Sequence, residues 1–226
     1  MVELTASELA ARLGVSRRHA SGLLGAGAID GRQLSSGAWL ADSDSVARYE
    51  VAARLGKGRK LDVDTAWGLL WELSGLAAHW LAPRTRSRIR ARLRTASAEE
   101  ISRAVADRTR AHRYQSASTA RAAKGLITTG RAAAGALDVG LMNDSRTAVG
   151  YARSGSAAEH ARGRFMVASL TGHDIIYDNT LPINYEGERM PLAVIAADLA
   201  ASTDTRERSG GLRALEELRD VWLTAR

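Results

Sequence analysis

The sequence predicts an α+β chain in three parts, and three observations lead there. Residues 4–24 hold two helical patterns separated by a glycine, residues 57–117 hold arginine-rich amphipathic helices, and from Gly125 short β-like runs alternate with glycines before two closing helices. The expected boundaries are 1–56, 57–117 and 118–226.

In LTASELAARLGVSRRHASGLL the first helix starts at Thr5, whose hydroxyl can cap the chain three residues on, where Glu8 can reach back to complete a capping box. Leu9, Ala10 and Leu13 give its apolar stripe. Gly14 stands where the helix must end in a left-handed turn. Ser16 caps a second helix that exposes Arg17, Arg18, His19 and Ser21 on its first turns and keeps Ala20, Leu23 and Leu24 for packing. Two short helices across such a turn form a helix-turn-helix, whose second helix meets base edges with its N-terminal residues. The plainer alternative is a helical hairpin with a basic end.

Residues 29–34 and 38–41 flank Ser35-Ser36-Gly37, which predicts a hairpin, and a hairpin at this place would be a wing. Asp42-Ser43-Asp44-Ser45 then offers N-caps for a third helix through Val46, Tyr49, Val51, Ala52 and Leu55. With its opening L-T-x-x-E-x-A-x-x-L-G-V-S, a hairpin ending in W-L and an acidic cap before V-x-x-Y, the stretch 3–55 resembles the excisionase and MerR-like helix-turn-helix family.

Composition narrows the partners. The chain is globular in balance, 45% apolar and 25% charged, with a net charge of +7 carried by 29 arginines and three lysines. Residues 1–124 hold 21 basic and 12 acidic side chains, whereas residues 125–226 hold 11 and 13, so positive charge gathers where the expected DNA reader lies. Without cysteine there is no disulfide framework and no thiolate site. No leader-like or membrane-spanning run is read in the sequence, so a cytoplasmic address and no membrane partner are expected.

The middle part opens with the basic joint Gly56-Lys57-Gly58-Arg59-Lys60, read as a linker that touches phosphates; it lacks the spacing of a phosphate-cradling loop. Asp62 to Thr65 caps a helix in which Trp67, Leu70 and Trp71 share a face, read as core rather than as a base-stacking platform. In PRTRSRIRARLR, Arg recurs at every second position from Arg84 to Arg94. A strand would put all six on one face, but Pro83 suits a first helical turn and Ser97 to Glu100 is a capping box for the next helix, so helix is predicted. Its arginines suit either a phosphate-facing surface or a solvated one. The next helix is expected to run to about His112.

Beyond Gly125, strands are expected at 126–129, 148–152, 165–170, 174–177 and 183–185, with an Ala-rich helix at 131–137 and closing helices at 191–201 and after Asp204, the last with an Asp204–Glu207 capping box. This describes a C-terminal α/β domain. Thr129-Gly130-Arg131-Ala132-Ala133, Gly150-Tyr151, KLDVDTAWGLLWELSG and above all PLAVIAADLAASTDTRERSGGLRALEEL are similar to the AbiEi antitoxin family. That resemblance implies a winged helix-turn-helix repressor of its own operon, a C-terminal domain serving repression or neutralisation, and a nucleotidyltransferase-like toxin as partner.

An enzyme is not expected. Asp174, Asp178, Glu186, Glu188 and Asp198 could hold a metal for phosphodiester cleavage, but no lysine follows Lys124 to complete such a nuclease site, and the five histidines are widely separated. The expectation is therefore a sequence-specific DNA-binding transcriptional repressor, without cofactor or metal, read as the antitoxin of a type IV toxin–antitoxin pair. Ser16, Arg17, Arg18, His19 and Ser21 would enter the major groove; Arg32, Ser35 and Ser36 would contact backbone or minor groove; Lys57, Arg59 and Lys60 would hold phosphates. Its partners would be double-stranded DNA, the toxin and a second copy, joined through Leu215, Leu218 and Trp222 of the last helix. The alternatives are an excisionase-like architectural protein that bends DNA and a metal-dependent nuclease-like enzyme.

Overall fold

In the computed structural model, which describes residues 3–54, 60–153, 155–169 and 171–225, a short strand precedes the first helix. Strand β1 (Glu3–Thr5) leads into α1 (Ala6–Leu13), and the capping box forms in full: Glu8 N–H donates to Thr5 Oγ1 at 3.3 Å and Thr5 N–H to Glu8 Oε2 at 2.7 Å. Gly14 ends the helix at φ 66°, a left-handed conformation that side chains resist. Ser16 Oγ accepts the His19 N–H and starts α2 (Arg17–Gly25). The hairpin follows as β2 (Gly31–Gln33) and β3 (Trp39–Asp42), and Asp42 Oδ1 accepts the Asp44 and Ser45 N–H groups to open α3 (Ser43–Arg54). Leu55 lies outside the described residues.

The sheet is antiparallel with β3 in the centre, and β1, which the sequence pattern does not announce, pairs Leu4 with Ala41 on its far side. Leu9, Ala20, Leu24, Ile29, Ala41 and Val46 form the core of this first unit, Met1–Gly58. Each large aliphatic buried there contributes roughly 1.5–3 kcal/mol of transfer free energy. Gly31 is required by packing, since a Cβ there would sit 2.5 Å from Leu40 O and 2.7 Å from Leu24 Cδ2.

The second unit, Arg59–Arg226, is mixed α and β around a main core, with a smaller buried cluster that includes Tyr114, Leu126, Met166 and Ile176. Its helices are α4 (Val63–Leu73), α5 (Pro83–Thr95), α6 (Ala98–Ala104), α7 (Thr119–Ala123), α8 (Ala157–Gly163), α9 (Leu192–Ala200) and α10 (Thr205–Thr224). Strands β4 (Ala111–Gln115), β5 (Leu126–Thr128), β6 (Val149–Ala152), β7 (Val167–Ala168) and β8 (Asp174–Tyr177) make a sheet of order β5-β6-β8-β4-β7. Strands β6 and β8 run parallel, and the other strand pairs among the described residues are antiparallel. Trp67, Leu69, Leu70, Ile101, Ile127, Tyr151, Ile195, Leu199, Leu215 and Trp222 belong to one buried cluster. Helix α9 is apolar apart from Asp198 and correspondingly central. Gly211 lets α10 close on it, because a Cβ would meet Ala200 N at 2.3 Å and Ala196 O at 2.6 Å.

Several expectations are corrected. The boundary at 117 separates nothing, because Trp67 and Ile101 share a core with Ile195 and Leu215. The helix expected to reach His112 stops at Ala104, and a 3-10 turn over Ala106–Arg108 hands the chain to β4, where Tyr114 is buried while Ala111 and Gln115 are exposed. Residues 130–136 wind as a 3-10 helix, and residues 183–185 lie outside any strand. Glu207 leaves the expected capping box half made: its N–H is capped by Asp204, but its carboxylate takes the Ser202 hydroxyl. Leu215 and Trp222 face the core and Leu218 packs against it, so the expected dimer surface is used within the chain.

Candidate nucleic-acid interface

Helix α2 presents its first turns to solvent because its apolar residues fall on the other side. Ala20 and Leu24 are buried, while Arg17, Arg18 and His19 are exposed. Among the described residues no carboxylate lies within ion-pair distance of these three side chains, and the first turn carries no acid. The helix therefore adds its own positive end to two guanidinium groups. Ser16, Arg18, His19, Gly22 and Leu23 line a shallow depression, and a Cβ at Gly22 would meet nothing within 4 Å. Ser21 is half-buried beside it. Four of the expected residues, Ser16, Arg17, Arg18 and His19, thus share one end of one helix, and Ser21 lies at its middle.

The hairpin tip is also open: Ser35 and Ser36 are exposed, and Gly37 turns the chain at φ 81° so that its N–H reaches Leu34 O at 2.8 Å. Arg32 differs from its expected use. It forks onto Glu3 across the sheet, with Nε–Oε1 at 2.8 Å and Nη2–Oε2 at 2.9 Å, and this hydrogen bonding holds the Glu3 carboxyl below its ordinary range. Arg12 is held likewise by Glu50, at 3.0 Å for both bonds. Lys60 belongs to the second unit and pairs with Asp107 at 2.7 Å. Lys57 and Arg59 lie outside the described residues.

In the second unit the acidic residues go to separate tasks. Asp174 accepts the Ser116 and Ala148 N–H groups at 3.0 and 2.8 Å, tying two strand ends together. Asp178 meets His112 Nε2 at 2.8 Å and accepts the Ala157 N–H at 3.2 Å. Glu186 takes the Asn184 amide, and Glu188 is exposed. Among the described residues no three His, Asp or Glu side chains converge as metal ligands.

Asp198 is buried with Arg108, at 5% and 3% exposure, and the two are ion-paired. Thr129 Oγ1 donates to Asp198 Oδ2 at 2.6 Å, Tyr151 OH lies 3.1 Å from both carboxylate oxygens, and the Arg108 guanidinium stands 5.4 Å over Trp67. Burial pushes the Asp198 carboxyl above its ordinary range, and the Arg108 guanidinium with the Thr129 and Tyr151 hydroxyls opposes this by favouring the anion. The same anion, with Tyr151, holds the Arg108 proton against the pull of burial. The sequence does mark this network, because Asp198 is the one acid inside the otherwise apolar PLAVIAADLAA. No family model, curated protein or solved structure matches the chain.

Proposed function

We propose that the chain is a sequence-specific DNA-binding repressor whose first unit acts as a winged helix-turn-helix. The observation that carries this reading is the end of α2, where Arg17, Arg18 and His19 stand exposed, with no carboxylate in ion-pair distance among the described residues, on a helix anchored by Ala20 and Leu24. The Gly14 turn and the hairpin tip at Ser35 and Ser36 support it as the turn and the wing. Arginine recognises guanine O6 and N7 through two hydrogen bonds, so sequence preference is assigned to Arg17 and Arg18.

The test is selection of preferred sequences from a random duplex pool with the full chain, followed by affinity measurement for Arg17→Ala and Arg18→Ala. Loss of preference in these variants is expected; a preference that survives both substitutions sinks the assignment. The antitoxin role rests on the resemblance of residues 129–133 and 191–218, and co-purification with a nucleotidyltransferase encoded beside it is the corresponding test.

A further inference from the structure

The first unit leaves the most arginine-dense part of the chain without a task. Helix α5 carries Arg84, Arg86, Arg88, Arg90, Arg92 and Arg94 and no acid. It is fixed to the second unit by Ile89 and Leu93, both buried, and by Arg90, which forks onto the buried Glu72 at 2.9 and 3.1 Å. That is the only one of the six within ion-pair distance of a carboxylate among the described residues; Arg88 bonds Thr85 at 3.3 Å and acts on Asp62 at longer range.

At 100° per residue, Arg84, Arg88 and Arg92 form one row along the helix and Arg90 and Arg94 another, on either side of the outward face. The outward positions between the rows, Ser87, Ala91 and Thr95, are exposed and uncharged. Like charges four residues apart weaken a helix, and among the described residues only Glu72 lies within ion-pair distance of the rows, with Asp62 acting on Arg88 from farther off. Packing alone would be served by Ile89, Leu93 and Arg90.

We infer that the outward face of α5 is a second nucleic-acid contact, which takes the phosphate backbone of duplex DNA without reading its sequence. The inference rests on the DNA-binding reading above and deepens it. Four-residue steps set successive arginines of a row about 6 Å apart along the helix, the scale on which phosphates follow one another along a strand. The face holds no aromatic residue, so single-stranded bases have nothing to stack on. It also lacks the large apolar anchors that dominate protein–protein interfaces. A line of fixed guanidinium groups without acids suits a line of phosphates.

The experiment measures binding of the full chain to a fluorescent duplex of arbitrary sequence between about 50 and 200 mM NaCl. Arg84, Arg92 and Arg94 are replaced together by Gln in one variant and by Lys in another. The Gln variant should bind more weakly, and its plot of log affinity against log salt should flatten by about 2–3, near 0.9 for each phosphate released. The Lys variant should keep the wild-type slope. An unchanged slope in the Gln variant overturns the inference, as does equal loss in both variants, which would place the effect in helix conformation and not in charge. So does a Gln variant that loses polyglutamate but not duplex, since the face would then serve an acidic protein. The Arg17→Ala/Arg18→Ala chain separates the two ideas. If it keeps its preferred sequence while the Gln variant flattens, the reader assignment fails and the α5 contact stands. If it loses that preference while the Gln variant keeps its slope, the reverse holds.

Discussion

Arg108 and Arg17 are the same side chain in opposite settings, and the contrast separates the two units. In the second unit Arg108 is 3% exposed, and Asp198, Tyr151 and the Val105 carbonyl fill its surroundings. In the first, Arg17 stands in solvent with no carboxylate beside it among the described residues. A charge withdrawn from water is tied to fixed partners and becomes a constraint on the fold, whereas a charge left in water with a rigid backbone beneath it stays available to a ligand. Substitutions at the two places should therefore affect different observables.

The largest effect is expected at Asp198. Asp198→Asn leaves the Arg108 charge buried without its counter-ion and should cost the second unit about 3–5 kcal/mol, read from its urea transition. Replacing both partners by apolar residues, Arg108→Met with Asp198→Leu, should cost much less than the single change. If the single change moves the midpoint no more than a surface substitution does, the contrast fails. Next comes Arg17→Ala, expected to leave the urea curve in place and to weaken binding to the preferred duplex by about 1–3 kcal/mol, roughly 5- to 150-fold.

The contrast also explains what the sequence reveals. Local rules are written in adjacent residues, so the Thr5–Glu8 box, the Gly14 turn, the Ser16 cap and the helix from Pro83 are all legible. Strand β8 has the bounds its Asp-Ile-Ile-Tyr pattern predicts. What is hidden depends on partners far along the chain. Strand β4 reads as the tail of a helix because only Tyr114 in it is buried, and its neighbours β7 and β8 come more than fifty residues later. The destination of Arg32 turns on Glu3, on the opposite edge strand of the small sheet. The pairing of Arg108 with Asp198 spans 90 residues, and no local spacing announces it.

Acid should sharpen the comparison by loosening the units in different pH windows. His160 Nε2 lies 2.8 Å from the Ala122 carbonyl, and burial lowers its pKa from the ordinary 6.5. A depressed histidine lets the unfolded chain bind more protons, so its contribution is present above about pH 6.5 and is lost as the pH falls through the lower folded value. Hydrogen bonding to the Thr5 N–H and hydroxyl lowers the Glu8 pKa from 4.5, so the stabilisation from that capping box is present above about pH 4.5 and is lost as the pH falls from there through the lower folded value. In pH-dependent denaturation, the second unit should weaken first, and His160→Gln should remove its early slope. If the slope is unchanged in that variant, another group sets the window.

The smallest effect is expected at Arg32, the expected wing residue that the structure gives to Glu3. An exposed ion pair contributes little to stability, because water and salt already solvate both groups, so Arg32→Gln should barely move the urea transition of the first unit. To reach a phosphate, Arg32 would first have to leave Glu3, exchanging one anion for another. Its removal should therefore change duplex affinity by less than about threefold, below the tenfold that corresponds to 1.4 kcal/mol. Glu3→Gln works in the opposite direction: it frees the guanidinium and should strengthen binding, steepening the salt dependence by about one phosphate, near 0.9. If Arg32→Gln instead weakens binding as much as Arg17→Ala, the pair with Glu3 opens on DNA and Arg32 belongs with the arginines of α2.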